Sequence, residues 1–267
     1  MKKIFLTGAS SGIGRATAEA LTRAGHEVWG TSRDPSRVPV SPNMHAVGLD
    51  LLDRGAIADA FGRAWDEAGG FDVVINNAGS GHFGPAEVLA EETLHNQFQL
   101  LVFGPLQICQ LALRAMREQE RGLIINVTSL ASRLPVPFTA AYNAAKAAMA
   151  SFTMTMQLEL GDSPIRIVDL QPGDISTEFN DAVVKDASGD PRYNPRMESA
   201  WRVVDRNMKH APKPAVVAER IVGLINEVDP PPRATVGDTF ESVVAPMIFS
   251  VLPPRLRVWG LRRYYGI

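Results

Sequence analysis

The chain has 267 residues, 45% of them hydrophobic, which is enough for one large domain with a sizeable buried core. Its formal charge of −2 gives no general attraction to nucleic acid or membrane. A single cysteine, Cys109, excludes an internal disulfide and fits a reducing cytoplasm.

The N-terminal MKKIFLTGAS has an apolar run too short for a signal peptide. Segments patterned as buried strands then alternate with segments patterned as helices. KKIFLT reads as a first strand, followed by helix over residues 12–24. EVWGTS is a second strand and MHAVGLD a third, with helix from about 54 to 68. FDVVIN is a fourth strand, and residues 91–120 form a long helical stretch. GLIINVTS is a fifth strand before helix over 139–160, and IRIVDL a sixth before helix over 216–228. RATVG closes the series. Strands of near-continuous Val, Ile and Leu are buried on both faces. Repeated βα units therefore predict an α/β fold in one domain, a Rossmann-type doubly wound parallel sheet with helices on both faces. No run reaches the ~18 apolar residues of a membrane-spanning helix. His26, His45, His82, His95 and His210 lack metal-ligand spacing, so no metal is expected.

Two regions depart from this rhythm. Residues 174–214, rich in Asp, Pro, Asn and charge, are expected to form a lobe on the substrate side. Residues 240–267 end in APMIFSVLPPRLRVWGLRRYYGI, with four arginines and no acid in that run. Such a tail could touch an anionic membrane surface. Packing over the substrate pocket or against a subunit is the preferred expectation. Pro246, Pro253 and Pro254 prevent one continuous amphipathic helix there.

The first strand runs into Thr7-Gly8-Ala9-Ser10-Ser11-Gly12-Ile13-Gly14, and a helix follows. Glycines permit a tight turn and close backbone approach to a pyrophosphate, while a helix N-terminus offers N–H groups. Residues 8 and 10–14 are thus a candidate cofactor cradle. The spacing is GxxxGxG. It resembles the TGxxxGxG signature of the short-chain dehydrogenases/reductases. Further along, Asn76-Asn77-Ala78-Gly79 matches the family's NNAG, and Tyr142 and Lys146 form YxxxK on one helix face with Ser129 thirteen residues ahead. Pro172-Gly173-Asp174-Ile175-Ser176-Thr177 resembles PGxxxT. The resemblance covers roughly residues 3–180.

The resemblance implies a catalytic Ser129–Tyr142–Lys146 set. Tyr142 would exchange a proton with a carbonyl or alcohol oxygen, helped by an ammonium that favours the phenolate. Ser129 would hydrogen-bond that oxygen, and Lys146 would hold the nicotinamide ribose. Asn77, Ala78 and Gly79 would line the cofactor ribose, Asp50 and Leu51 the adenine. Pro172, Gly173, Ile175 and Thr177 would meet the nicotinamide. An acid binding the ribose of NAD would fall near Ser32. It is a serine, and Arg33 follows, which favours the 2′-phosphate of NADP(H). Pairing of Arg33 with Asp34 is the alternative.

Three positions leave the family pattern. Leu101 stands where an asparagine holds a water linked to the lysine. Gln99, the nearest amide, should point elsewhere along the helix. Ala145 stands where serine is frequent, and Ser132 where glycine is. Phe83, Leu134, Val136, Phe138, Phe179 and Trp201 are expected to wall the substrate site, with Arg133 and Lys185 as possible anchors for a carboxylate. The expected function is NADP(H)-dependent oxidoreduction of an apolar ketone, aldehyde or secondary alcohol by a homodimer or homotetramer. The alternative is a dinucleotide-binding regulator silenced at Leu101. An epimerase or dehydratase of the extended branch fits the glycine spacing and the short C-terminal part poorly.

Overall fold

The computed structural model describes residues 1–178, 183–185, 191–238, 242 and 244–267. Seven strands form one parallel sheet: β1 Lys3–Leu6, β2 Glu27–Ser32, β3 Met44–Gly48, β4 Val73–Asn76, β5 Gly122–Val127, β6 Ile165–Pro172 and β7 Arg233–Val236. Their order across the sheet is β3-β2-β1-β4-β5-β6-β7. The order of strand addition therefore reverses between β1 and β4, leaving a crevice at the strand ends where dinucleotides bind in such sheets.

Helices cover both faces. They are α1 Gly12–Arg23, α2 Arg54–Ala68, α3 Glu91–Phe98, α4 Gly104–Gln119, α5 Ala140–Leu160, α6 Asn194–His210, α7 Pro214–Asn226, α8 Ala245–Val251 and α9 Pro254–Tyr265. Successive strand residues point to opposite faces. Ile4 and Leu6 accordingly join the core beneath α1 and α7, while Phe5 joins the core beneath α2, α4 and α5. Val73 and Ile75 divide from Val74 in the same way, as do Leu123 and Ile125 from Ile124. Burial on both faces is why these strands read as unbroken apolar runs.

Two expectations change. The helix over 91–120 is interrupted by a π-helical turn, Gln99–Phe103, where the Gly104 N–H bonds Gln99 O five residues back. Pro105 has no N–H to continue the regular ladder, which accounts for the wider turn. The stretch Glu91–Gln119 is nevertheless long and apolar enough to cross a membrane by length and composition. Its Ile108, Cys109, Ala112 and Met116 bury against the sheet, while much of the rest of the stretch is not buried. The lobe expected over 174–214 contains α6. Its neighbours include α9, so the two regions that broke the sequence rhythm pack together.

Candidate active site

The glycine loop is fixed by space. An added Cβ on Gly14 would lie 2.0 Å from Gly8 O, and one on Gly8 would lie 2.9 Å from Ala78 Cα. Gly8 also has φ +72, a conformation that favours glycine. The residue before α1, Ser11, makes no side-chain cap, so the first N–H groups of the helix stay open toward the cavity. This is a cradle for an anionic group.

Hydrogen bonds tie that cradle to the neighbouring strand. Thr7 Oγ1 accepts from Asn77 N at 2.9 Å and Ala78 N at 3.0 Å, and Asn77 Nδ2 donates to Thr7 O at 3.0 Å. A second series crosses the sheet to α5. Asn76 Nδ2 donates to Asn126 Oδ1 at 2.9 Å, and Asn126 Nδ2 to Thr153 Oγ1 at 3.0 Å. The first asparagine of NNAG therefore helps to fix the helix that carries Tyr142 and Lys146.

At the far end, Ser32 Oγ accepts from Asp34 N. Asp34 turns its carboxylate into its own loop, accepting from Ser36 N and Ser36 Oγ, and those bonds hold its pKa below the usual value. Among the described residues no ion pair joins it to Arg33. Arg33 lines the cavity, and so does Arg37, which the sequence reading missed. Asp50 Oδ1 accepts from Leu52 N, while Asp53 caps α2, so Asp50 is not the helix cap.

At the chemical end, Ser129 begins the short turn after β5 and hydrogen-bonds Tyr142. Lys146 Nζ donates to Val127 O at 2.8 Å and sits 5.8 Å from the Tyr142 ring centroid. Burial pushes the Tyr142 phenol up to about 12, against the lowering effect of the Ser129 hydrogen bond and with a smaller upward push from Asp174. Burial brings Lys146 down to about 8, against the opposite pull of Asp169. The expected lowering of Tyr142 by the ammonium is thus corrected. Removal of the phenol from water is the largest influence, and Lys146 is not among the groups that shift it.

Leu101 is buried with Val102 and Ala145, against the partly buried Tyr142 and Ala148. A Cβ added to Gly79 would meet Leu101 Cδ2 at 3.2 Å and Lys146 Nζ at 3.9 Å. Two departures from the family pattern, Leu101 and Ala145, therefore form one apolar plug beside the lysine. Gln99 does point elsewhere: its Nε2 donates to Leu51 O at 2.9 Å, bracing the adenine-side loop. The third departure, Ser132, donates from Oγ to Ser129 O at 2.7 Å.

One cavity of ≈ 970 Å³ joins these parts, and every residue the sequence singled out for catalysis or cofactor binding lines it. On its substrate side it meets Phe83, Leu134, Val136 and Trp201. Phe138 does not line it. It packs behind Phe83, with ring centroids 5.7 Å apart. Phe179 lies outside the described residues. Neither possible carboxylate anchor reaches the cavity: Lys185 Nζ lies 3.7 Å from the Trp201 ring centroid, and Arg133 lies near Asp169 and Arg233 behind the site. Asp174 and Asn207 also line it without having been expected to, whereas the α8–α9 side chains line it in keeping with the expected packing of residues 240–267 over the pocket. Asp174 accepts a side-chain hydrogen bond from Asn207, while burial raises its pKa. Among the described residues no cluster of His, Cys, Asp and Glu could hold a metal ion.

Comparison with known proteins agrees with this geometry. A sequence model described as short chain dehydrogenase matches residues 2–188. A 3-ketodihydrosphingosine reductase from Bacteroides thetaiotaomicron is 31% identical over 266 residues, 99% of this chain and 98% of its own. The crystal structure of a short-chain dehydrogenase from Streptomyces avermitilis superimposes with a TM-score of 0.82 at 27% identity, covering 98% of this chain and 96% of that one. A serine dehydrogenase solved with NADP+ shares the fold with a TM-score of 0.77 at 23% identity, covering 90% and 96%.

Proposed function

This chain belongs to the short-chain dehydrogenases, and from that premise we propose that it is an NADPH-dependent reductase of apolar ketones or aldehydes. The observation that carries the proposal is Tyr142, a phenol kept neutral by burial, bonded to Ser129 and facing a cavity with apolar walls. A phenol with a pKa near 12 keeps its proton at neutral pH. It can therefore give that proton to a carbonyl oxygen in reduction, and the tyrosinate so formed takes one back from an alcohol in the reverse direction. Ser129 donates a second hydrogen bond to the same oxygen as negative charge develops there. Lys146 holds the nicotinamide ribose and restores the phenol's proton.

The cradle at Gly8–Gly14, with no room for a Cβ at Gly14, fits a dinucleotide pyrophosphate. Bound there, the dinucleotide supplies the hydride. The selectivity for NADP(H) rests on Arg33 and Arg37 beside Ser32, with Asp34 engaged in its own turn. The similarity to a 3-ketodihydrosphingosine reductase supports a lipid-derived ketone as substrate. Phe152, Met154 and Leu158 are exposed on α5 and support a homo-oligomeric contact there. The alanines at 141, 145 and 150, by contrast, face the interior.

The test is NADPH oxidation by the purified protein against a panel of apolar ketones and aldehydes. Tyr142→Phe should lower kcat by about 10²- to 10⁴-fold while NADPH still binds. Arg33→Ala should raise the KM for NADPH about 10-fold, the size of a lost charge-assisted contact, and leave NADH unaffected. A protein that binds NADPH yet reduces no carbonyl would instead be a regulator, the reading that the Leu101 plug favours. An unchanged KM for NADPH after Arg33→Ala would remove the cofactor assignment alone.

A further inference from the structure

The arm formed by α8 and α9 has two different sides. Phe249, Leu252, Leu261 and Tyr265 line the cavity. The opposite side is left in water although it is apolar: Met247 is 66% exposed, Val251 80%, Val258 59% and Trp259 66%. On α9 the outer residues Arg255, Val258, Trp259 and Arg262 recur at helical spacing, as do the inner residues Arg257, Leu261 and Tyr264. Contiguous apolar exposure of this kind marks a binding surface.

Charge identifies the partner. Residues 245–267 contain Arg255, Arg257, Arg262 and Arg263 and no acid, a side-chain charge of +4, whereas the remainder of the chain carries −6. Among the described residues none of these arginines pairs with a side-chain carboxylate, and Arg262 Nε donates to Ile267 O at 3.3 Å. Arg257 holds the elbow between the helices, donating to Leu252 O at 2.7 Å and Ser250 O at 2.8 Å. Arg255, Arg262 and Arg263 are exposed beside Trp259. A second copy docked two-fold on this face would bring like charges together. An anionic bilayer would accept both the arginines and the apolar side chains, with Trp259 at the headgroup level.

We propose that the α8–α9 arm seats on an anionic lipid surface and holds the mouth of the catalytic cavity against it. Ile248 and Leu256 join the two sides, since both are exposed and both line the cavity. A lipid-derived carbonyl would then enter from the bilayer without crossing water. That last step rests on the reductase reading. The docking itself does not.

The decisive experiment is cosedimentation of the whole protein with sucrose-loaded phosphatidylcholine vesicles, with and without phosphatidylglycerol. The protein should pellet with the anionic vesicles and much less with the neutral ones. The combined variant Arg255→Glu, Arg262→Glu, Arg263→Glu should lose at least about 100-fold in partitioning, since three attractions to an anionic surface are removed and three repulsions added. Trp259→Ser tests the apolar share separately and should lose about 10-fold, as expected for an interfacial aromatic. Absence of pelleting, or equal pelleting on both vesicle types, would overturn the proposal. So would light scattering that showed the triple variant splitting a native oligomer, because the arm would then be a subunit contact. No substrate is present, so the result is independent of turnover.

Discussion

The cofactor end and the substrate end of the cavity are built under opposite constraints. At the cofactor end the backbone leaves no choice: Gly14 sits against Gly8 O, Gly8 against Ala78, and Thr7 is bonded to two successive amides. At the substrate end the walls are side chains from α6, α8 and α9, and many apolar residues could fill those places. The first region can be recognised from its spacing because exclusion of a single methyl group fixes a residue type. The second has no such signature, because burying apolar area is not specific to one sequence.

This contrast can be broken at its rigid end. Gly14→Ala should cost more than about 4 kcal/mol, in the range of forced backbone displacement, and abolish dinucleotide binding. Thermal melting with and without NADPH reads both effects. Retained cofactor stabilisation would mean that the loop can relax, and the contrast would lose its basis. A smaller effect is expected at the junction of the two ends. Leu101→Asn places an amide within the Leu101–Val102–Ala145 cluster, where an unsatisfied polar group costs about 1–3 kcal/mol. Melting should fall by several degrees, and adding Ala145→Ser should recover part of the loss. Simple additivity of the two changes would show that the departures are independent. The smallest effect belongs to the soft end. Leu252→Ala removes apolar contact from a partly exposed wall and should raise KM for a long-chain ketone by about 3- to 10-fold, with little change for a short one. An equal loss for both chain lengths would mean that Leu252 shapes the reacting centre and not the wall.

Legibility followed the same division. Lys146 and Tyr142 could be placed on one face because four residues make about one helical turn. Their protonation could not be read that way. Charge proximity suggested a lowered phenol, while the folded chain shows burial prevailing and a phenol near 12. Arg37 carried no such signal, because its approach to the cavity depends on how the short turn Pro35–Arg37 folds back after β2. Asn207 had no local signal at all: its Nδ2 meets Tyr264 Oη at 2.8 Å, across 57 residues of sequence.

The sheet, the glycine cradle and the Ser129–Tyr142–Lys146 spacing are legible in the unfolded chain, since strand alternation, helical turns and glycine's missing Cβ act over a few residues. Packing of distant segments brings Leu101 and Ala145 into one plug, lets Asp34 turn to Ser36 instead of Arg33, and makes the C-terminal arm both line the cavity and turn an arginine-bearing apolar side to solvent. Those outcomes depend on which distant surfaces meet and how much water they exclude, quantities that arise only when the chain has packed.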